Sequence, residues 1–219
     1  MKSTAGKGTA HRISVQPHID FDADTLTPGH DYDTVLFADR DFTGQDAADA
    51  RFLDCRFERC GLDGVSMPRT RLIDCALIDL HAASVNLADS LWRDCEVRGG
   101  RLGAMTLAGC TWTRIRMSGV KLGFVNLAGA RVEDVVFEEC EIGSLDAQSA
   151  QLRSVAFAGC TVRELNVAEA TLSKVDLSGA KLKELIGIES LRGAVIGHDQ
   201  LVDLAPLLAA QLGIEVRGD

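Results

Sequence analysis

The chain has 219 residues, of which 46% are hydrophobic, and its formal net charge is −9 at pH 7. It contains no run of about 18 apolar residues, so a transmembrane helix is not expected. Residues 1–11 have neither the apolar core nor the cleavage motif of a secretory signal peptide, and we therefore expect a cytoplasmic protein. The length and one continuous repeat array predict a single elongated domain with capped ends.

The residues before the repeat array divide into two parts. Residues 1–12 lack an apolar pattern and are predicted to form a disordered tail. Residues 13–34 are predicted to cap the N-terminal end of the array, because a β-helix exposes unpaired strand edges unless they are covered. The candidates for burial in this cap are Ile13, Val15, Ile19, Phe21 and Leu26.

Residues 35–184 form thirty consecutive five-residue units without an insertion or deletion. The centre positions, which are Phe37 and every fifth residue as far as Leu182, are all apolar. From Ala50 to Leu185, the positions two residues before each centre hold only Ala, Cys, Val, Thr, Leu, Ser, Gly, Met or Ile. Two inward residues with one outward residue between them indicate a short strand, and Gly or Asp two residues after the centre indicates a turn. This fixed short period predicts a solenoid.

The units resemble those of the pentapeptide-repeat family, whose pattern is Ala-(Asp/Asn)-Leu-X-X. The nearest matches are residues 85–89, 125–129 and 175–179, which read VNLAD, VNLAG and VDLSG. The resemblance covers about 70% of the chain. It implies an all-β solenoid, a right-handed four-sided β-helix, and we assign residues 35–196 to it.

Residues twenty positions apart are alike, as four five-residue sides per coil require, whereas a three-sided coil would repeat every fifteen. The columns are Asn86, Thr106, Asn126, Asp146 and Asn166; Gly103, Gly123 and Gly143; Trp92 and Trp112; and Cys55, Cys75 and Cys95. Ladders of like polar residues stabilise stacked strands. Seven and a half coils at ~4.8 Å predict a rod roughly 36 Å long.

All seven cysteines occupy the inward position two residues before a centre, and none of the histidines lies in the core register. The cysteines are Cys55, Cys60, Cys75, Cys95, Cys110, Cys140 and Cys160. Inward cysteines in a reducing compartment pack as small hydrophobic residues, although stacked coils would also bring Cys55, Cys75 and Cys95 within reach of a disulfide or a metal ion. We predict packing and no metal site.

The C-terminal residues change from the five-residue period to helical spacing. The period decays after Leu185, and residues 197–219 are predicted to be a helical cap, with Asp199 as its N-cap and Gly213 as its stop. Pro206 predicts two short helices or a kink. Residues 214–216 are a candidate terminal strand.

A C-terminal helix of this kind forms a dimer interface in related pentapeptide-repeat proteins. The resemblance therefore implies a homodimer, and the candidate interface residues are Leu201, Leu204, Leu207 and Leu208. The alternative is a monomer in which the same segment only caps the rod.

The sequence contains no motif of catalysis. It has no nucleophile elbow, phosphate-binding loop or ligand cluster, and the five-residue period differs from the six-residue period of left-handed β-helix acyltransferases. We therefore expect a protein that is not an enzyme, has no cofactor and makes no direct contact with nucleic acid. Some pentapeptide-repeat proteins are acidic rods that imitate DNA and protect DNA gyrase or topoisomerase IV from quinolones. The loops through which some of them contact the topoisomerase are absent here.

One side of the predicted rod is acidic. It carries Asp46, Asp49, Asp89, Asp146, Glu169 and Glu189 against Arg69 alone. We predict that this side binds a protein partner, with a type II topoisomerase as the specific candidate. The alternatives are a solubilising surface and a structural or assembly scaffold with another protein partner. Residues 35–189 carry 23 acidic and 18 basic residues, a net charge of −5, whereas ~36 Å of duplex DNA carries roughly twenty negative charges.

Overall fold

The computed structural model describes residues 17–216. They form a right-handed, four-sided β-helix of about nine turns that ends in one α-helix. The solenoid is longer than the predicted seven and a half coils, because residues before Val35 and after Leu185 also form strands that pair with it. The predicted tail, together with Ile13 and Val15 of the predicted cap, lies outside the described residues.

Between residues 17 and 216 the backbone forms strands β1–β21, one short 3-10 helix and helix α1. They are β1 (Ile19–Asp20), β2 (Asp31–Asp33), β3 (Val35–Ala38), β4 (Arg51–Leu53), β5 (Arg56–Glu58), β6 (Val65–Ser66), β7 (Arg71–Ile73), β8 (Ala76–Ile78), β9 (His81–Asn86), β10 (Leu91–Arg93), β11 (Glu96–Arg98), β12 (Arg101–Thr106), β13 (Thr111–Ser118), β14 (Lys121–Asn126), β15 (Arg131–Glu138), β16 (Glu141–Asp146), β17 (Gln151–Ala158), β18 (Thr161–Asn166), β19 (Thr171–Asp176), β20 (Lys181–Ile186), the 3-10 helix (Ile188–Ser190), β21 (Ala194–Val195) and α1 (His198–Gln211).

The strands of adjacent turns pair in parallel, with a register of twenty residues through the repeat array. Trp92 pairs with Trp112, and Asn126 pairs with Asp146. The predicted four-sided coil is therefore confirmed. The strands belong to two sheets, one of which consists of β6, β9, β12, β14, β16, β18 and β20.

The four sides of the coil differ in the backbone conformation of the turn position, which is the residue two positions after the centre. On three sides, from Asp39 to Lys174, the residue two positions after the centre has positive φ, even where it is Arg59. On the fourth side, from Ser84 onward, the equivalent described residues do not have positive φ. Strands there, such as β9 and β14, run through six residues without a turn. That side is therefore a flat sheet surface.

The two predicted inward positions build the core. Every centre residue from Phe37 to Leu177 is buried, and Leu182 in the last turn is half-buried. Aromatic rings stack between turns: the centroids of Phe137 and Phe157 lie 4.8 Å apart with an interplanar angle of 2°. All seven cysteine side chains are buried and free, as the packing prediction requires.

The N-terminal segment differs in part from its prediction. Phe21 and Leu26 are buried, but Ile19 is 68% exposed. The reason is that β1 pairs with β3 along the edge of the first turn, which leaves the side chain of Ile19 outside the core. Phe21 fills the end of the core, with its ring centroid 4.7 Å from that of Phe37.

The C-terminal cap also differs from its prediction. It is one helix of fourteen residues, α1, which contains Pro206, so the division into two short helices is wrong. The carbonyl of Val202, which Pro206 cannot satisfy, lies on an exposed part of the helix where water can bind it. Gly197, not Asp199, is the N-cap residue, and residues 214–216 form no strand. Gly213 follows the helix with φ of 70°, in agreement with the predicted stop.

Candidate protein-interaction surfaces

The cavity in the core of the solenoid is too small to hold a substrate. This cavity has a volume of about 20 Å³ and an apolar lining that includes Leu80, Trp92 and Met105. A space of this size holds about one water molecule. Within residues 17–216, no group of three or more His, Cys, Asp or Glu side chains is arranged to hold a metal ion. The outer sides are therefore the candidate functional surfaces.

Buried thiols contribute little reactivity. Burial raises the pKa of the Cys75 thiol, and raises that of Cys110 to about 12, so both stay protonated at neutral pH. A hydrogen bond from Cys140 lowers the pKa of Cys160 to about 7, but both thiols are only 1% exposed. The cysteines are thus core residues with little access to solvent.

Two of the predicted acidic residues belong to a capping column. Asp46 and Asp146 accept hydrogen bonds from the backbone N–H groups of Ala48 and Gln148, at 2.9 and 3.1 Å. Asp146 also accepts a hydrogen bond from Asn166 Nδ2 at 3.0 Å and is half-buried. Asp46 is exposed. The carboxylate of Asp146 is therefore a structural group that is partly shielded from a partner.

Asp49, Asp89 and Glu169 occupy the turn column of the same side, and all three are exposed. Asp49 makes a bidentate ion pair with Arg69, at 2.8 and 2.7 Å. The hydrogen bond from Arg69 lowers the pKa of Asp49, so this carboxylate is ionised and its charge is compensated. Glu169 accepts a hydrogen bond from Ser149 Oγ at 3.0 Å. The charge of this side is smaller than a count of its residues indicates.

The five acidic residues share one side but form two groups. Asp46 and Asp146 are five turns apart, or about 24 Å along the axis. Asp49 and Asp89 lie in the N-terminal half with Asp46, whereas Glu169 lies in the C-terminal half with Asp146. The structure therefore does not bring the predicted residues together into one compact site.

The acidic excess is concentrated at the N-terminal end, which charge counting by sides did not reveal. Residues 17–50 contain nine aspartates and one basic residue other than His, Arg40. Residues 51–192 contain 19 acidic and 18 basic residues. Asp20, Asp22 and Asp24 are exposed, and none of them forms an ion pair with another described residue. The sequence alone indicates this acidic end, because nine aspartates fall within residues 17–50.

The four predicted dimer residues differ in their solvent exposure. Leu204 is 8% exposed and Leu208 is half-buried, so both pack against their own chain. Leu201 and Leu207 are 47% and 50% exposed. Leu204 is therefore a packing residue of its own chain, whereas Leu201 and Leu207 are available to a partner. Helical spacing alone does not show which side of α1 faces the solenoid.

The inner side of α1 is fixed by Gln200. Its Nε2 donates to the carbonyls of Leu177 and Ala180, each at 2.8 Å, and its Oε1 accepts a hydrogen bond from the N–H of Gly197 at 2.8 Å. These bonds satisfy carbonyl groups at the end of the solenoid and the first turn of the helix. Gln200 was not among the residues that the sequence singled out.

A second surface was also missed. Strands β4, β7 and β10 are adjacent, and their outward residues combine arginine with aliphatic side chains. We call them the arginine–aliphatic patch: Arg51, Leu53, Arg71, Ile73, Leu91 and Arg93. Leu53 and Leu91 are 43% and 36% exposed, and Ile73 lies half-buried between them. The signal in the sequence is that both neighbours of Phe52, Leu72 and Trp92 are large.

The chain belongs to the pentapeptide-repeat family. The model of a pentapeptide repeat region matches residues 50–127, and the model of eight pentapeptide repeats matches residues 150–184; together they cover just over half of the chain. This is a family of generally non-enzymatic structural and interaction proteins. No helix in residues 17–216 has the length and apolar character needed to cross a membrane. No curated protein sequence matches the chain.

Solved structures with a similar fold include two pentapeptide-repeat proteins. HetL, which is involved in the regulation of heterocyst differentiation in the cyanobacterium Nostoc sp. strain PCC 7120, is 16% identical, with a TM-score of 0.42 over 78% of this chain and 91% of HetL. QnrB1, a plasmid-mediated fluoroquinolone resistance protein, is 16% identical in one trypsin-treated variant form, with a TM-score of 0.35 over 91% of this chain and 96% of that one. These values are too low to transfer a function.

Proposed function

We propose that this chain is a non-enzymatic protein-interaction rod whose acidic N-terminal end and adjoining acidic side bind the DNA-binding groove of a type II topoisomerase. DNA gyrase and topoisomerase IV are the candidate partners, and the consequence would be protection from quinolones or other gyrase poisons. The observation that supports the proposal is the group of exposed carboxylates of Asp20, Asp22 and Asp24 at the end of the rod, which form no ion pair with another described residue.

The charge density of this end is comparable with that of DNA. Residues 17–50 have a net charge of −8, and they occupy about two turns, or roughly 10 Å of the axis. Three of their carboxylates pair with arginines of the next turn, Asp31 with Arg51, Asp39 with Arg59 and Asp49 with Arg69, so that five of these eight charges are uncompensated. Duplex DNA of that length carries about six negative charges. The remaining repeat array, residues 51–192, has a net charge of −1. A groove that binds phosphates with Lys and Arg would therefore recognise the end of the rod rather than its whole length.

A supercoiling assay tests this proposal. The purified chain is titrated into DNA gyrase acting on relaxed plasmid, with and without a fluoroquinolone. We expect the chain to inhibit supercoiling or to reduce quinolone-stabilised cleavage. Unchanged supercoiling and unchanged cleavage, at concentrations well above that of the enzyme, would remove the topoisomerase proposal.

A structural or assembly scaffold with a different protein partner is the second candidate. The arginine–aliphatic patch favours it, because this patch is neither acidic nor DNA-like. Arginine is enriched at protein interfaces, and the buried core of an interface is apolar. Capture of a partner that depends on Leu53 or Leu91, and not on Asp22, would support the scaffold.

We also propose that the chain is a homodimer through its C-terminal segment. The support is the exposed apolar surface of α1 and the residues after it, where Val202 is 61% and Leu212 is 75% exposed. Sedimentation should then give a mass of twice 23.5 kDa.

A further inference from the structure

We infer that helix α1 of one copy of this chain binds the arginine–aliphatic patch of a second copy. The inference rests on the proposed dimer, since it names the surface that receives the C-terminal segment. It is independent of the topoisomerase proposal, because neither α1 nor the arginine–aliphatic patch belongs to the acidic N-terminal end.

The free side of α1 is acidic and apolar. Gln200 and Leu204 face the solenoid, which leaves Asp199, Val202 and Asp203 on the outer side together with Pro206. Residues at this spacing of three, four and seven lie along one face of a helix. All four are exposed. The outer side of α1 therefore presents two carboxylates, one turn apart, beside aliphatic surface.

The charge of this segment disfavours a contact with itself. Residues 197–216 contain Asp199, Asp203 and Glu215 and no Lys or Arg. Two copies of α1 that met through their outer sides would bring like charges together, which costs free energy at an interface. A partner surface with positive charge and exposed aliphatic groups is required instead.

The arginine–aliphatic patch has this chemistry. Arg71 lies on β7, the middle strand of the patch. It is exposed and forms no ion pair with another described residue. Its neighbours make long ion pairs: Arg51 Nε lies 3.7 Å from Asp31 Oδ1, and Arg93 Nε lies 3.8 Å from Asp94 Oδ2. The guanidinium groups of this patch therefore have donors that a second copy can use.

The dimensions of the two surfaces agree. Strands β4, β7 and β10 span two strand spacings, or about 10 Å, which is close to the diameter of an α-helix with its side chains. A helix placed across these strands can set Val202 against Ile73 and one of the two leucines, Leu53 or Leu91, while Asp199 and Asp203 reach guanidinium groups. Carboxylates and arginine form bidentate hydrogen bonds that fix such an orientation. Two reciprocal contacts would close a two-fold dimer.

Charge reversal tests the contact on both surfaces. Sedimentation over a concentration series is measured for the intact chain, for Arg71→Glu, for Asp203→Lys and for the double variant. The control is Arg101→Glu, because Arg101 is also an exposed first residue of a strand and has no ion pair among the described residues, but lies in the other sheet. Circular dichroism and thermal unfolding establish that each variant is folded.

We expect each single reversal to weaken the dimer by about tenfold or more, as close charge pairs at interfaces do. The double variant should regain most of the lost affinity, and Arg101→Glu should dimerise like the unchanged chain. A dimer that is indifferent to both single reversals would overturn this inference while leaving the proposed dimer intact. A monomer at every concentration would overturn both. If one variant does not fold, the other still decides the result, since the two changes lie on separate elements.

Discussion

Trp92 and Trp112 occupy equivalent positions in adjacent turns, but only Trp92 has an acceptor for its indole N–H among the described residues. The ring centroids lie 5.7 Å apart, and both side chains are at most 1% exposed. Trp92 Nε1 donates to Ser90 Oγ at 3.0 Å. Cys110 stands where Ser90 does one turn earlier, and the buried Nε1 of Trp112 is unsatisfied.

This difference predicts opposite effects of two substitutions. Ser90→Ala should lower the free energy of unfolding by about 1–3 kcal/mol, because it leaves a second buried indole N–H without an acceptor. Cys110→Ser should raise it by about 1 kcal/mol, because it supplies the missing acceptor to Trp112. Urea unfolding of the two variants measures both effects. A stabilising Ser90→Ala change would contradict the account of this column.

The stacked rings of Phe137 and Phe157 give a test of the core register. Phe137 is 1% exposed, and Phe137→Ala should lower the free energy of unfolding by about 3–5 kcal/mol, since the deletion leaves a cavity. Denaturant unfolding provides the measurement. A loss below about 1 kcal/mol would be the value for an outward side chain and is incompatible with this register.

The glycine column should tolerate no side chain at its middle residue. A Cβ added to Gly123 would lie 2.2 Å from the backbone carbonyl oxygen of Gly103, which cannot move without displacing a turn. Gly123→Ala should therefore lower the free energy of unfolding by more than about 2 kcal/mol. The control is Gly129→Asn, because Gly129 has φ of 65° and open space around it, and Asn tolerates this conformation. Equal losses from the two variants would refute the steric explanation.

Gln200 should hold α1 on the end of the solenoid. Gln200→Ala removes its three hydrogen bonds and should increase the rate of amide hydrogen exchange throughout residues 198–211. Gln211→Ala is the matched control, since Gln211 is the exposed last residue of the helix. Unchanged exchange in Gln200→Ala would show that apolar contacts such as that of Leu204 suffice.

The repeat could be predicted from the sequence because its period is the geometry of the coil. Each five-residue unit makes one side, so centre residues such as Phe137 face inward and residues twenty apart, such as Trp92 and Trp112, stack. The straight fourth side could not be predicted from its turn residues, because Ser84 does not have positive φ whereas Ser149 and Ser154, at the same position of other sides, do. Ion pairs between turns follow the same register, as Asp49 and Arg69 show.

The ends could not be predicted in the same way. Which side of α1 packs inward depends on the bonds of Gln200 with carbonyls of the last turn, and local helical spacing does not contain this information. The first turn is shorter than the others, since Ile19 pairs with Val35 and not with a residue twenty positions away. The repeat period therefore does not predict the exposure of Ile19.

The most direct test of the proposed function is the affinity of the chain for DNA gyrase as a function of salt concentration. If the acidic end occupies a basic groove, binding should weaken steeply with salt. Replacing Asp20, Asp22 and Asp24 by Asn should weaken it by about tenfold or more and flatten the salt dependence. The control, Glu139→Gln, Asp176→Asn and Glu184→Gln together, removes the same charge from exposed sites elsewhere and should bind nearly as the unchanged chain does. Absence of binding at low salt, or equal losses in the two triple variants, would contradict the account.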